Sequence, residues 1–147
     1  MTKRVSSRTG TSSSDDKTNS VTPTFRVALT GTGATAAVAG DIVTLLADGT
    51  QVGTATLAAG DITAGYVDIT SSTLAAGTRS ITATVKDVAN NTSAASTALP
   101  VVIDTTAPAI ASATVSGTTL TLTYTEAGVG LANSTPATSD FAVNKNG

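Results

Sequence analysis

The side chains with the most chemistry to offer are hard oxygen donors. Asp87, Asn90 and Asn91 fall in one short run, Asp104 stands beside a Thr-Thr-Ala-Pro stretch, and Asp15 and Asp16 lie near the N-terminus. Carboxylates, amide oxygens and backbone carbonyls are the ligands that calcium selects. Asp104, Asp87, Asn90, Asp15 and Asp16 are therefore the candidate metal ligands, with Asp104 the best single one and Asp15 or Asp16 next. A plainer reading stands beside this one. Asp and Asn also favour turns because their side chains bond nearby backbone N–H groups, and Asp104 can take such a bond at a strand end. No EF-hand and no glycine-rich nonapeptide calcium motif is present.

Other chemistries have less to work with. The chain has no His and no Cys, which removes the commonest general base and any thiolate nucleophile. Asp61 with Asp68, or Asp41 with Asp48, are conceivable carboxylate pairs for glycoside hydrolysis. That reaction also needs a sugar-gripping cleft and an acid of raised pKa, and the only aromatics are two Phe and two Tyr. Ser and Thr lack a His partner, and neither Lys86 nor Lys145 has a supporting motif. Gly31, Gly33 and Gly40 fit neither dinucleotide nor P-loop spacing and read as a loop. Asn91-Thr92-Ser93 and Asn133-Ser134-Thr135 match the glycosylation sequon but read as turn residues. No residue is assigned a catalytic role.

Composition narrows the class further. The 147 residues carry a net charge of −2, and a sequence pI of about 4.7 argues against a nucleic-acid partner, which asks for a basic face. Thr, Ala, Val and Gly dominate, and mean hydropathy is +0.21, which suits a pleated, half-buried surface rather than disorder. No apolar run is long enough to span a membrane. The basic start, Met1 to Ser7, leads into no apolar stretch, so no Sec signal peptide is expected here.

The elements that must hold these donors follow from period-two alternation. Residues 1–20 are polar and Ser/Thr-rich and read as a flexible lead-in. Phe25, Val27 and Leu29 alternate with polar neighbours after Pro23. Asp41 to Ala47 is a strand, Asp48-Gly49 a hairpin turn, and Thr50 to Leu57 the return. Val67 and Ile69 point inward from a fourth strand, with Tyr66 and Asp68 outward. Ile81, Ala83 and Val85 belong to a fifth, and Ser96 to Ile103 completes the set. Thr56 to Gly60 echoes Thr73 to Gly77, read as two similar turn entries. Short strands at this spacing make an antiparallel β-sandwich over 21–107. Its expected core is Phe25, Val27, Val43, Leu45, Val67, Ile69, Ile81, Ala83, Val85, Val101 and Ile103.

After Pro108 the pattern restarts. Ala111, Ala113 and Val115 alternate, Ser116-Gly117 turns, and Leu120, Leu122 and Tyr124 alternate; a strand at Phe141 to Val143 follows a loop with Pro136. Residues 108–147 are too few for a core of their own and read as an incomplete second β repeat, with the 110–125 hairpin marginal alone and Ser134 to Gly147 loosely held.

Several motifs in order resemble the bacterial Ig-like repeats of large surface adhesins and biofilm-associated proteins. They are Thr22 to Phe25, Gly40 to Leu45, Asp48-Gly49, Gly77 to Asp87, Ala89 to Asn91 and Asp104 to Pro108, within about residues 7–108. Ser7 to Asn19 is similar to the acidic lead-in of such repeats, with Arg8 where an Asp often stands. Ala113 to Tyr124 and Pro136 to Phe141 are similar to a repeat of long secreted proteins, sometimes called swimming- or flagellar-associated. The resemblance implies an all-β, Ig-like sandwich followed by the truncated second β module. It also implies a non-enzymatic spacer at the bacterial cell surface or outside the cell, neighbouring repeats of the same chain as partners, and a calcium ion stiffening the interdomain linker. The alternatives are a binding module that recognises glycan or host protein through loops 31–40 and 58–64, and an accessory domain of a secreted enzyme or phage particle.

Overall fold

The computed structural model describes residues 16–30 and 36–127. The chain divides into two units, Met1–Thr105 and Thr106–Gly147. In the first unit the elements are β1 (Lys17–Thr18), β2 (Thr24–Ala28), β3 (Ile42–Ala47), β4 (Thr50–Thr56), α1 (Ala59–Ala64), β5 (Tyr66–Thr70), β6 (Gly77–Lys86) and β7 (Leu99–Ile103). They form a five-stranded sheet of order β1-β7-β6-β3-β4 and a two-stranded sheet of β2 and β5.

Alternation decides which faces meet. Phe25 and Val27 of β2, Val43 and Leu45 of β3, Val67 and Ile69 of β5, Ile81 and Ala83 of β6, and Val101 and Ile103 of β7 are buried in one cluster. Both sheets contribute to it, so their inner faces share one core, as in a sandwich. Each large apolar side chain so buried stabilises the fold by roughly 1.5–3 kcal/mol. Ten of the expected core residues are buried. Val85, opposite Val43 near the end of β6, is only half-buried and packs at the margin of the core. Ala47 at the end of β3, Leu57 just after β4 and Leu74 in the loop between β5 and β6 complete the core.

The β3–β4 hairpin has a two-residue loop, with Ala47 opposite Thr50. Asp48 (φ 51°) and Gly49 (φ 81°) both lie in the left-handed region, the requirement of a type I′ turn. The register then slips so that Leu45 faces Gly53 and Leu46 faces Gln51, leaving Val52 as a bulge. The Val52 carbonyl accepts the Ser72 N–H at 2.7 Å. A Cβ on Gly53 would stand 2.8 Å from Ile69 Cγ2 and 3.0 Å from the Thr70 carbonyl oxygen. Edge strand β4 thus closes onto the end of β5, and only glycine permits that approach.

Three expectations change. The lead-in does not run to residue 20: Lys17 and Thr18 already pair in parallel with Val102 and Ile103. Two polar residues carry no alternation, so this strand is set by the edge it docks on. The 58–64 stretch is not a loop but encloses the short helix α1. Asp61 accepts the Ala58 N–H at 2.8 Å, and Gly65 in the left-handed region ends the helix by donating to the Asp61 carbonyl oxygen at 2.8 Å. The echo at Thr73 to Gly77 has no acid at the matching place, and Gly77 leads straight into β6. The last strand starts at Leu99 rather than Ser96. Upstream of it Ser93 and Ser96 accept the Val85 and Ala83 N–H groups through their hydroxyls, both at 3.0 Å.

The second unit, as described, is the hairpin of β8 (Ala109–Ser116) and β9 (Thr119–Thr125). Gly117 takes the first central turn position at φ 61°. A register slip between Ile110 and Ser112 bulges Ala111 out and sets Ile110, not Ala111, opposite Tyr124. One face then carries Ile110, Ala113, Val115, Leu120, Leu122 and Tyr124, and the other is mostly Ser and Thr. The expected strand at Phe141 to Val143 and the loop at Pro136 lie outside the described residues.

Candidate functional site

The strand registers place the predicted donors. β6 runs ten residues from Gly77 to Lys86, about 33 Å of extended chain. At its start Gly77 faces Ile103, so Asp104 lies at that end of the sheet. At its finish Lys86 faces Ile42, so the Asp87–Asn91 turn lies at the opposite end. Asp16 precedes Lys17, which faces Val102; Asp104 follows Ile103 at the far side of the same short pair. The structure therefore brings Asp87, Asn90 and Asn91 together and keeps Asp104 and Asp16 away from them. Asp15 lies outside the described residues, as does Arg8.

The Asp87 turn is bonded within itself. The Asp87 carboxylate accepts Asn91 N–H at 2.8 Å and Asn91 Nδ2 at 2.9 Å. These bonds, the side-chain one foremost, hold its pKa below the ordinary value. Asn90 adopts φ 70°, and its Oδ1 accepts from Lys86 Nζ at 3.2 Å. This is how Asp and Asn build a turn. Calcium asks for about six to eight oxygens, and among the described residues no three acidic side chains gather. The donors named from sequence do not make one coordination set, so a calcium role at the linker rests on Asp104. Its N–H donates to the Thr18 carbonyl oxygen at 2.8 Å.

At the Asp104 end the β3–β4 turn is stitched to β6. Asp48 Oδ1 accepts the Ser80 N–H at 2.9 Å and Oδ2 accepts from Arg79 Nη1 at 3.1 Å, while Arg79 Nη2 donates to the Ala76 carbonyl oxygen at 2.8 Å. The Ser80 bond, then Arg79, lowers the Asp48 pKa. On the outer face of β2 and β5, Arg26 makes two 2.8 Å bonds to Asp68 and lies 3.7 Å above the Tyr66 ring. Beside it the Thr24 and Thr70 hydroxyls meet at 2.8 Å. This ladder went unread in the sequence because a cross-strand pair shows only once the register is known.

The carboxylate pairs do not converge. Asp61 caps α1 and Asp68 is held by Arg26. Asp41 and Asp48 stand at opposite ends of β3, about 20 Å of strand apart. Asp41 is buried; its Oδ2 accepts the Val38 N–H at 3.0 Å, and Oδ1 has no hydrogen-bond partner.

The path of the chain is the feature these geometries share. Among the described residues of the first unit, Asp16 and Asp104 flank one parallel strand pair, β1 and β7. A family model described as bacterial Ig-like domain matches residues 2–105. No curated protein and no solved structure matches.

Proposed function

Because the chain belongs to the bacterial Ig-like domain family, we propose that it is a non-catalytic spacer module of a repetitive bacterial surface or secreted adhesin. The observation that carries this reading is the chain path. β1 and β7 run in parallel, so the described backbone of the unit begins at one end of this strand pair and finishes at the other. A module threaded this way adds its own length to whatever precedes and follows it. Its partners in this reading are neighbouring repeats, its place is the cell surface or the extracellular matrix, and its task is to carry a binding tip or build a biofilm scaffold. No helix of the described residues is long and apolar enough to cross a membrane.

The test is saturable binding. The chain, immobilised and offered glycan arrays and host cells, should capture neither. Dose-dependent capture abolished by Arg26→Ala or Tyr66→Ala would replace the spacer with a binding module.

Calcium stiffening belongs to the same reading through Asp104. Melting the chain in EDTA and in millimolar calcium should show an upward shift, by linkage, that Asp104→Ala removes. A shift that survives the substitution takes Asp104 out of the site. No shift leaves Asp104 a strand-end residue.

A further inference from the structure

Two serines tie down a stretch of chain that no strand ladder holds. It lies between the bridge of Thr92 to Lys86 and the first rung of β7, Leu99 opposite Ile81. Over residues 93–98 the chain runs back along β6 without forming a strand. Ser93 N–H donates to the Val85 carbonyl oxygen at 2.8 Å, and Ser96 N–H donates to the Ala83 carbonyl oxygen at 3.1 Å. The return bonds end on side chains. Val85 N–H donates to the Ser93 hydroxyl and Ala83 N–H to the Ser96 hydroxyl, both at 3.0 Å, where a paired strand would offer its carbonyls. Each hydroxyl donates onward to the next carbonyl of its own chain, Ser93 to Ala94 at 2.9 Å and Ser96 to Thr97 at 3.2 Å.

We propose that residues 93–98 are a strap, latched to β6 by the two serine hydroxyls, that opens while the rest of the sandwich stays folded. The inference concerns one edge of the sheet and does not depend on what the parent protein does. Three features support it. First, no side chain of the strap is buried: from Val88 to Ala98 every residue is exposed except Ser96, which is half-buried. Opening therefore carries nothing out of the core, and segments with few buried contacts sit at the low-stability end of a fold. Second, both flanks of the strap stay put. Val101 and Ile103 of β7 are buried, so opening stops where the ladder begins. On its other side β6 is paired with β3 from Ile81 to Lys86, so it remains in the sheet when the strap leaves. Third, the strap touches alternate groups. The N–H groups of residues 83 and 85 point to it, so those of residues 82 and 84 point to β3. Opening bares the N–H and carbonyl groups of Ala83 and Val85, which together form a short free sheet edge.

Residue-resolved amide hydrogen exchange on the full chain tests this. Corrected for intrinsic rates, the Ala83 and Val85 amides should exchange roughly tenfold or more faster than those of Thr82 and Thr84. Arg79, which faces Val101 in the true ladder, should behave like Thr82 and Thr84. Low urea should leave the Ala83 and Val85 rates nearly flat, because opening a short exposed segment uncovers little surface. The same urea should raise the Thr82 and Thr84 rates in step with global unfolding. The Ser93→Ala, Ser96→Ala double variant removes both acceptors and should speed Ala83 and Val85 exchange by about tenfold. Equal protection and equal urea slopes along β6 would overturn the proposal. So would a folded double variant whose Ala83 and Val85 rates match those of the unsubstituted chain. If the double variant does not fold, the contrast between odd and even residues of the unsubstituted chain decides.

Discussion

Asp48 and Asp87 are held in their charged forms by neighbours that only the fold supplies. Both pKa values lie below the ordinary 3.8, so the folded state binds protons less readily than the unfolded chain does. Stability from these bonds is fully present above the unfolded value and is lost as pH falls through the folded values. Melting temperature should therefore level off above that range and fall as pH drops below 3.8, and the Asp48→Ala, Asp87→Ala double variant should show a shallower fall. An identical acid slope in both proteins would contradict the assignment. Two glycines test packing in opposite directions. Gly53→Ala places a Cβ against Ile69 and the Thr70 carbonyl and should destabilise by roughly 1–3 kcal/mol. Gly60→Ala, in α1 with nothing within 4 Å, should stabilise by about 0.4–1 kcal/mol. Urea denaturation reads both, and like signs would be evidence against this account of the Gly53 contact. The hairpin glycine was legible from Asp48-Gly49 as written, whereas Gly53 was not, since its need arises from a strand distant in sequence.

At the scale of elements, alternation was enough wherever a strand has one buried face. Phe25 and Val27, Val43 and Leu45, Val67 and Ile69, and Val101 and Ile103 all read correctly for that reason. Phe25 is fully buried, and Phe25→Ala should cost about 3–5 kcal/mol. A loss below the cost of an exposed substitution would mean the two sheets do not share a core there. Three features escaped. β1 is two polar residues long and exists through pairing alone. α1 is six residues, under two turns, too short for a 3.6-residue period to show. The bulge at Ala111 swaps Ile110 into the apolar face of β8, which no counting of alternate residues reveals. That face leaves Ile110 at 61% and Val115 at 72% exposed, and a two-stranded hairpin is marginal in water. A peptide of residues 106–127 should accordingly lack strand structure by circular dichroism; a cooperative melt would show that the hairpin is self-sufficient.

For the whole molecule, the family and the sandwich were legible because ordered motifs and turn spacing survive without knowledge of contacts. The candidate site was less so. Sequence proximity grouped Asp87, Asn90 and Asn91 correctly, but it could not show that Asp104 lies at the other end of a ten-residue strand. Nor could it show that Asp87 is already engaged by Asn91. What remains is a module defined by the path of its described residues, whose first and last strands run in parallel. The most direct measurement is small-angle scattering on arrays of one, two and four copies of residues 1–105. The maximum dimension should grow by a constant increment per copy, on the order of the 30 Å that a ten-residue strand spans. Growth that flattens as copies are added, toward a compact cluster, would contradict the spacer.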